Sequence, residues 1–136
     1  MTIIYKVIPD LKTAYFKGTG KVTADEIMAE RARMFAENKW TNGFNILIDY
    51  TEIAELIAKT EDIEKIVNQD KAIKSLFDKS KCAIVAGSDL VFGVSRMWEA
   101  LSANTKIITM VFRDIEDSLR WLGLDESVFQ SIKELP

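Results

Sequence analysis

The chain reads as an α/β layered protein, and one punctuated block near its middle predicts it. Lys81-Cys82-Ala83-Ile84-Val85-Ala86 has the composition of a buried strand, Gly87-Ser88-Asp89 breaks it, and Leu90 to Leu101 has the period of an amphipathic helix. A second apolar strand, Lys106 to Phe112, ends at Arg113-Asp114 and leads into a helix that closes on Trp121-Leu122-Gly123. Strand, turn, capped helix and strand in succession are the unit of α/β architecture, in which ligand sites gather at strand ends.

The remaining elements follow in order. Ile3 to Pro9 and Thr13 to Gly20 read as strands joined by Asp10-Leu11-Lys12 in a hairpin-like connection. Thr23, with Glu26 three residues on, has the spacing of a capping box and opens a helix to about Asn38. Trp40-Thr41-Asn42-Gly43 turns the chain into the strand Phe44 to Asp49. Tyr50 to Lys59 has the least regular pattern and is expected as a loop, although it carries Ile53, Leu56 and Ile57.

Thr60 is placed to cap the second long helix, with Glu61 and Asp62 suiting its dipole and Ile63, Ile66, Val67, Ile73 and Phe77 as its buried stripe. In the helix after Ser88, Leu90, Val94, Met97, Trp98 and Leu101 share one face at about 100° per residue and are expected in the core. Asp125-Glu126-Ser127 is placed to cap a terminal helix carrying Val128, Phe129 and Ile132. No repeat, low-complexity tract or linker divides residues 1–136, so a single domain is expected.

Composition narrows the function. A chain of 136 residues, 48% hydrophobic and 29% charged, is ordinary globular material and not a disordered tail. No apolar run approaches the roughly 18 residues of a membrane span, and the first residues alternate like a strand instead of a signal peptide, so no membrane insertion is expected. The single Cys82 has no internal disulfide partner and lies in an apolar strand, which fits a small buried hydrophobe in a reducing cytoplasm. A net charge of −3 lacks the basic footprint of a nucleic-acid binder.

The histidine count is zero, which excludes Ser-His-Asp and Cys-His catalysis, histidine zinc sites and a histidine general base. Asp49, Glu52, Glu55, Asp62 and Asp114 fall near strand ends or helix starts, yet no spacing marks a catalytic pair. The chain is therefore expected not to be an enzyme and to need no cofactor or metal.

Three segments carry a family resemblance. Phe44-Asn45-Ile46-Leu47-Ile48-Asp49-Tyr50-Thr51 resembles the strand and Asp loop of the SpoIIAA-like branch of the STAS and CRAL-TRIO superfamily. Ala83 to Ala86 with Val91 to Ala100 resembles that branch's fourth strand and following helix. Val111-Phe112-Arg113-Asp114 with Ser118 to Gly123 resembles the closing strand and Trp-Leu-Gly helix of its small bacterial members. The resemblance covers nearly the whole chain and implies an α/β fold of SpoIIAA-like (STAS) type, with a mixed, mainly parallel sheet of about five strands and helices on its faces. Relatives include phosphorylation-switched anti-sigma-factor antagonists and lipid-carrying domains. The stretch comparable to the phosphoacceptor motif is Ala58-Lys59-Thr60-Glu61-Asp62, which lacks the glycine and would crowd a phosphate with acids. Thr60 is a weak phosphorylation candidate beside its reading as a cap.

The other candidates each carry two readings. Gly87 to Gly93 lacks Walker spacing, so Ser88 or Asp89 reads as a helix cap. Phe92 lies almost opposite the apolar stripe, beside Arg96 and Glu99, and is either covered by a neighbour or offered to a ligand or partner. Arg96 is placed to hold an anionic head group or to pair with Glu99 or Asp89. Trp121 falls away from the Ile115, Leu119 and Leu122 face and is a contact residue or is covered by the terminal helix. Arg31 and Asp70 interrupt apolar stripes and mark either a polar seam or subunit interface, or helix edges. Tyr50 to Lys59, with Trp40, Phe44 and Phe92, either walls an apolar pocket or belongs to the core.

The leading expectation is a non-enzymatic interaction or regulatory module, homodimeric and possessing a regulatory protein partner, with Phe92 and Trp121 as contacts. The alternative is a binding module for a small amphipathic or lipid-like ligand, held by Tyr50 and Thr51 after Asp49 and by the turn at Ser88.

Overall fold

The computed structural model describes residues 2–37, 39–73, 77 and 79–134. Five strands make one sheet in chain order: β1 (Ile3–Ile8), β2 (Thr13–Thr23), β3 (Asn45–Ile57), β4 (Lys81–Ala86) and β5 (Ile108–Phe112). β1 pairs antiparallel with β2, and the other pairings are parallel. The mixed, mainly parallel sheet implied by the resemblance is the sheet observed.

Between β1 and β2 a single 3-10 turn, Pro9–Leu11, ends at Lys12 in the left-handed region, and this reverses the chain. The helices are α1 (Ala24–Phe35), α2 (Thr60–Ala72), α3 (Asp89–Leu101), α4 (Ile115–Leu122) and α5 (Glu126–Glu134). The expected end of α1 at Asn38 lies outside the described residues. Among the described residues no helix is long and apolar enough to cross a membrane.

The strand order explains the layers. From β2 to β5 each crossover steps to the next strand in one direction, and crossovers of one hand taken that way stack their helices on one face. α1, α2 and α3 accordingly share a core with Ile46, Ile48, Cys82, Ile84 and Val111, whereas α4 and α5 cover Tyr15, Leu47, Ala83 and Val85 on the other face. The central strands are buried on both sides, which is why they read as continuous apolar runs. Trp40, Phe44 and Phe77 are core residues, with Trp40 edge-on to Phe35 at 5.0 Å between ring centres.

The caps follow the expected side chains with one exception. Thr23 and Glu26 form the reciprocal capping box. Ser88 Oγ accepts the Val91 N–H at 3.2 Å, Asp114 the Asp117 N–H at 2.9 Å, and Asp125 the Val128 N–H at 2.8 Å. Thr60 is the first residue of α2 and not its cap. The cap is made instead by Asp62, whose carboxylate accepts the Lys59 N–H at 2.8 Å.

Two expectations are corrected. The stretch from Tyr50 is no loop: β3 continues to Ile57 and stays paired with the far half of β2, from Thr19 opposite Glu52 to Thr23 opposite Ile57. Register shifts at Lys17/Thr19 and Gly20/Lys21 break the two-residue period, so this half of the ribbon shows no strand pattern in sequence. In α3 the face buried against the sheet is Val91, Ser95 and Trp98, while Leu90, Met97 and Leu101 are exposed by 61%, 39% and 38%. Trp98 is core as expected and Val94 packs partly against that core, but the helix is apolar on two sides and the rest of the expected stripe faces outward.

Candidate functional site: an apolar cleft over a buried ion pair

The carboxyl end of β4 meets the middle of β3 where Tyr50 stands opposite Ala86. There a narrow cleft opens between α2 and α3. Tyr50, Ser95 and Trp98 line it together with Ile63 and Ile66 of α2, Ile27 of α1 and Val94 of α3, and Leu56 and Ala58 at the end of β3 close it. Apolar atoms dominate the lining. Inside its mouth the space suits about one water molecule, so a larger occupant has to part the helices.

Below the cleft lie the two charges that interrupt the apolar stripes. Arg31 of α1 and Asp70 of α2 are ion-paired, with both side chains almost wholly buried. They form a polar seam between α1 and α2 within the chain, and are neither a subunit interface nor helix-edge residues, because each faces the other in the buried α1–α2 contact. Arg31 Nε also donates to Gln69 Oε1 at 3.1 Å, and Gln69 Nε2 donates to the Met28 carbonyl at 3.1 Å. The guanidinium is sandwiched between the Phe35 and Trp98 rings, 5.2 and 4.9 Å from their centres. Trp98 therefore walls the cleft with one edge and lids the cation with its face.

This network holds unspent polarity. Asp70 Oδ2 and Trp98 Nε1 are both buried and lie close enough for the indole N–H to stabilise the carboxylate, although the contact falls short of full hydrogen-bond geometry. Burial raises the Asp70 pKa above the usual carboxylate value, and the Arg31 charge opposes that rise without cancelling it. Burial also pushes the Tyr50 phenol up, and it pushes the Cys82 thiol up to about 12, with Arg31 pulling both back.

The predicted site residues separate into different places. Tyr50 is in the cleft. Thr51 points out and donates its N–H and hydroxyl to Asp49 Oδ1 at 3.1 and 2.7 Å, while Tyr15 OH donates to Asp49 Oδ2 at 2.7 Å. Burial first, and then Asp49, raise the Tyr15 pKa. The turn before Ser88 runs against Thr51, since a Cβ at Gly87 would stand 2.8 Å from the Thr51 carbonyl oxygen. Ser88 and Thr51 are neighbours, but neither lines the cleft.

Phe92 is half-buried against the large core, and Arg113, ion-paired with Asp89 at 2.9 Å, stacks on its ring at 4.1 Å. Arg96 is exposed and pairs with Glu99 at 2.9 Å. Trp121 packs on Phe112 with 5.7 Å between ring centres, under the Lys81 ammonium at 5.2 Å. Phe92 and Trp121 are thus each half-buried, with a cation of the same chain over the ring and part of the side chain still exposed. Thr60 is exposed at the start of α2.

Sequence reasoning missed the outward side of α3. Leu90, Met97 and Leu101 recur at helical spacing on an exposed side of the helix, and Val94 beside them is half-buried in the cleft wall. The signal was present: α3 has more apolar residues than one buried stripe needs. Glycine 93 lies on the same outer side, with open space where a Cβ would stand. Among the described residues no cluster of three or more acids or cysteines could hold a metal ion. The arrangement offers mainly apolar contact.

No protein-family profile matches the chain, and no curated protein matches it. Among solved structures it is similar to an uncharacterised protein of the DUF3478 family from Shewanella loihica PV-4, described as having a SpoIIAA-like fold. The two share 23% identity over 81% of this chain and 83% of that one, with a TM-score of 0.52. With the strand order and helix layers above, that likeness establishes a SpoIIAA-like fold for this chain.

Proposed function

We propose that the chain is a non-enzymatic interaction module of regulatory type that binds a partner protein through the outer face of α3. One observation carries the reading: Leu90, Met97 and Leu101 stand exposed along one flank of a helix whose adjacent face, Val91, Ser95 and Trp98, is already packed on the sheet. Leaving three large apolar side chains in water on one helix face is unfavourable by a few kcal/mol in total, and a partner helix laid along them would remove that cost. Self-association as a homodimer belongs to the same reading, as does a reducing cytoplasmic setting for the buried Cys82. The test is site-specific photo-crosslinking from position 97 in the native host. A defined protein adduct is expected, and it should vanish when Leu90 and Leu101 are both changed to Glu. An adduct indifferent to those changes, or none at all, overturns the reading.

The second reading, a small amphipathic ligand, is favoured by the apolar lining of the cleft and the polar tips of Tyr50 and Ser95 in it. Native mass spectrometry of gently purified protein tests it. Extra mass that disappears on denaturation supports it, and bare protein removes it.

A further inference from the structure

We infer that two copies of this chain join edge to edge through β5, in an antiparallel pairing centred on Met110, to make one continuous sheet across a two-fold axis. This rests on the self-association part of the preceding reading and names its surface.

Among the described residues β5 is an open edge of the sheet, as no strand follows it in the strand order. Its backbone directions are fixed by two hydrogen bonds. The Ile108 N–H donates to the Ser80 carbonyl of the β4 side at 2.8 Å, so residues 108, 110 and 112 spend their main-chain groups on β4. Thr109 and Val111 then face outward. Val111 confirms this, because its N–H meets no strand and donates instead to the Glu99 carboxylate at 3.1 Å.

An antiparallel copy placed on that edge has one register in which the outward groups meet. Thr109 of each chain pairs with Val111 of the other, each pair exchanging both N–H···O bonds, and Met110 lies against its own symmetry mate. Side chains then decide whether this register is favourable. Ile108 and Met110 are 50% and 41% exposed on the α4–α5 side of the sheet, the side that also takes Phe112. In the paired edge Ile108 faces the other copy's Phe112 and Met110 faces Met110, an apolar ladder on one surface.

The flanks are complementary in charge. The same register carries Lys106 of one copy opposite Asp114 of the other, and both are exposed. Both lie two residues beyond the ends of β5, Lys106 in the bend before Ile108 and Asp114 in the bend after Phe112, where Asp114 is itself extended at φ −132° and ψ 156°. Reading outward from Met110, the face is basic at one end and acidic at the other. Two-fold symmetry brings unlike ends together, and that self-complementarity selects a second copy as the occupant.

Glu99 is the guard on this edge. One of its carboxylate oxygens holds the Val111 N–H and the other is held by Arg96 at 2.9 Å. The position that Glu99 fills is the one the other copy's Thr109 carbonyl needs, so the carboxylate competes with dimer formation. A five-residue edge also buries less than the roughly 1,600 Å² of a standard interface, which places the dimer in the micromolar range or weaker.

The test is analytical ultracentrifugation of the full chain over about 1 to 200 µM, a span that brackets micromolar dissociation constants. Wild type is expected to shift from monomer to dimer across that span. Thr109→Pro removes one outward N–H without touching the β4 ladder, and Lys106→Glu sets like charges opposite each other; each should weaken dimerisation by about tenfold or more. Glu99→Ala should strengthen it several-fold. Circular dichroism checks the fold of each variant, and if Thr109→Pro does not fold, the exposed Lys106→Glu decides alone. A dimer unchanged by Lys106→Glu and by Thr109→Pro overturns the β5 edge and leaves self-association through another surface. A monomer throughout, for wild type and Glu99→Ala alike, overturns both the edge and the homodimer.

Discussion

The Arg31 guanidinium of α1 is ion-paired with the Asp70 carboxylate of α2 inside the helical layer, and the side chains are 2% and 1% exposed. A pair this deep gains from mutual attraction but costs desolvation of both ions, so its parts are expected to behave unequally. Asp70→Leu leaves a buried cation without its acceptor and should lower stability by about 3–5 kcal/mol. Asp70→Asn keeps a hydrogen-bond acceptor for Arg31. Because this variant keeps the bond and loses only the counter-charge, it should cost less than the leucine variant, about 1–3 kcal/mol. Urea unfolding of both variants measures the contrast, and equal losses would show that charge rather than hydrogen bonding holds the pair.

Two glycines flank the same helix start and should respond in opposite senses. Gly87→Ala would drive its Cβ to 2.8 Å from the Thr51 carbonyl oxygen, which is backbone and has little room to yield. A loss of about 1–3 kcal/mol is expected. Gly93→Ala adds a Cβ in open space in the middle of α3, and the gain in helix propensity should stabilise the chain by about 0.5–1 kcal/mol. Thermal unfolding of the pair checks both signs at once.

Cys82 sits in β4 beneath the helical layer, and burial raises its thiol from 9.0 to about 12. The folded state therefore holds the proton more tightly than the unfolded chain. Stability from this group is full below about pH 9 and is lost as pH rises toward 12. Cys82→Ala should flatten that alkaline decline in an unfolding series against pH. In native protein at pH 8 a disulfide reagent should react only at the rate of unfolding, and fast labelling would contradict the burial.

The Asp49 carboxylate satisfies three donors at once, from Tyr15 and Thr51. Asp49→Ala strands the buried Tyr15 hydroxyl and is expected to lower stability by about 1–3 kcal/mol. Tyr15→Phe in the same background should recover part of it, because the orphaned hydroxyl is then gone. A double-mutant cycle in urea reads the coupling, and strict additivity would mean that the bond contributes nothing.

The fold was legible wherever burial is symmetric. β4 is apolar on both faces and bounded by Ser80 and Gly87, so composition alone marks it, and Thr23, Ser88, Asp114 and Asp125 announce their helices by local hydrogen bonding. The far half of β3 was not legible, because extra residues in β3 at both register shifts break its own alternation and its order comes from pairing with β2, which lies some thirty residues away in the chain. The rotation of α3 was not legible either. Leu90, Val94, Met97 and Leu101 form as good a stripe as Val91, Ser95 and Trp98, and only contact with the sheet chooses between them.

By itself the sequence determined what short-range chemistry can determine: the α/β class, the helix starts, the apolar central strands and the chemistry that a histidine-free chain cannot perform. The tertiary structure alone decided that Arg31 and Asp70 belong to each other, that Phe92 and Trp121 lie half-buried under Arg113 and Lys81, and that an apolar side of α3 and the β5 edge face outward. The physical reason is range. Caps and periodicity act within one or two turns of chain, whereas ion pairing, ring stacking and strand edges depend on which distant segments the layers bring together.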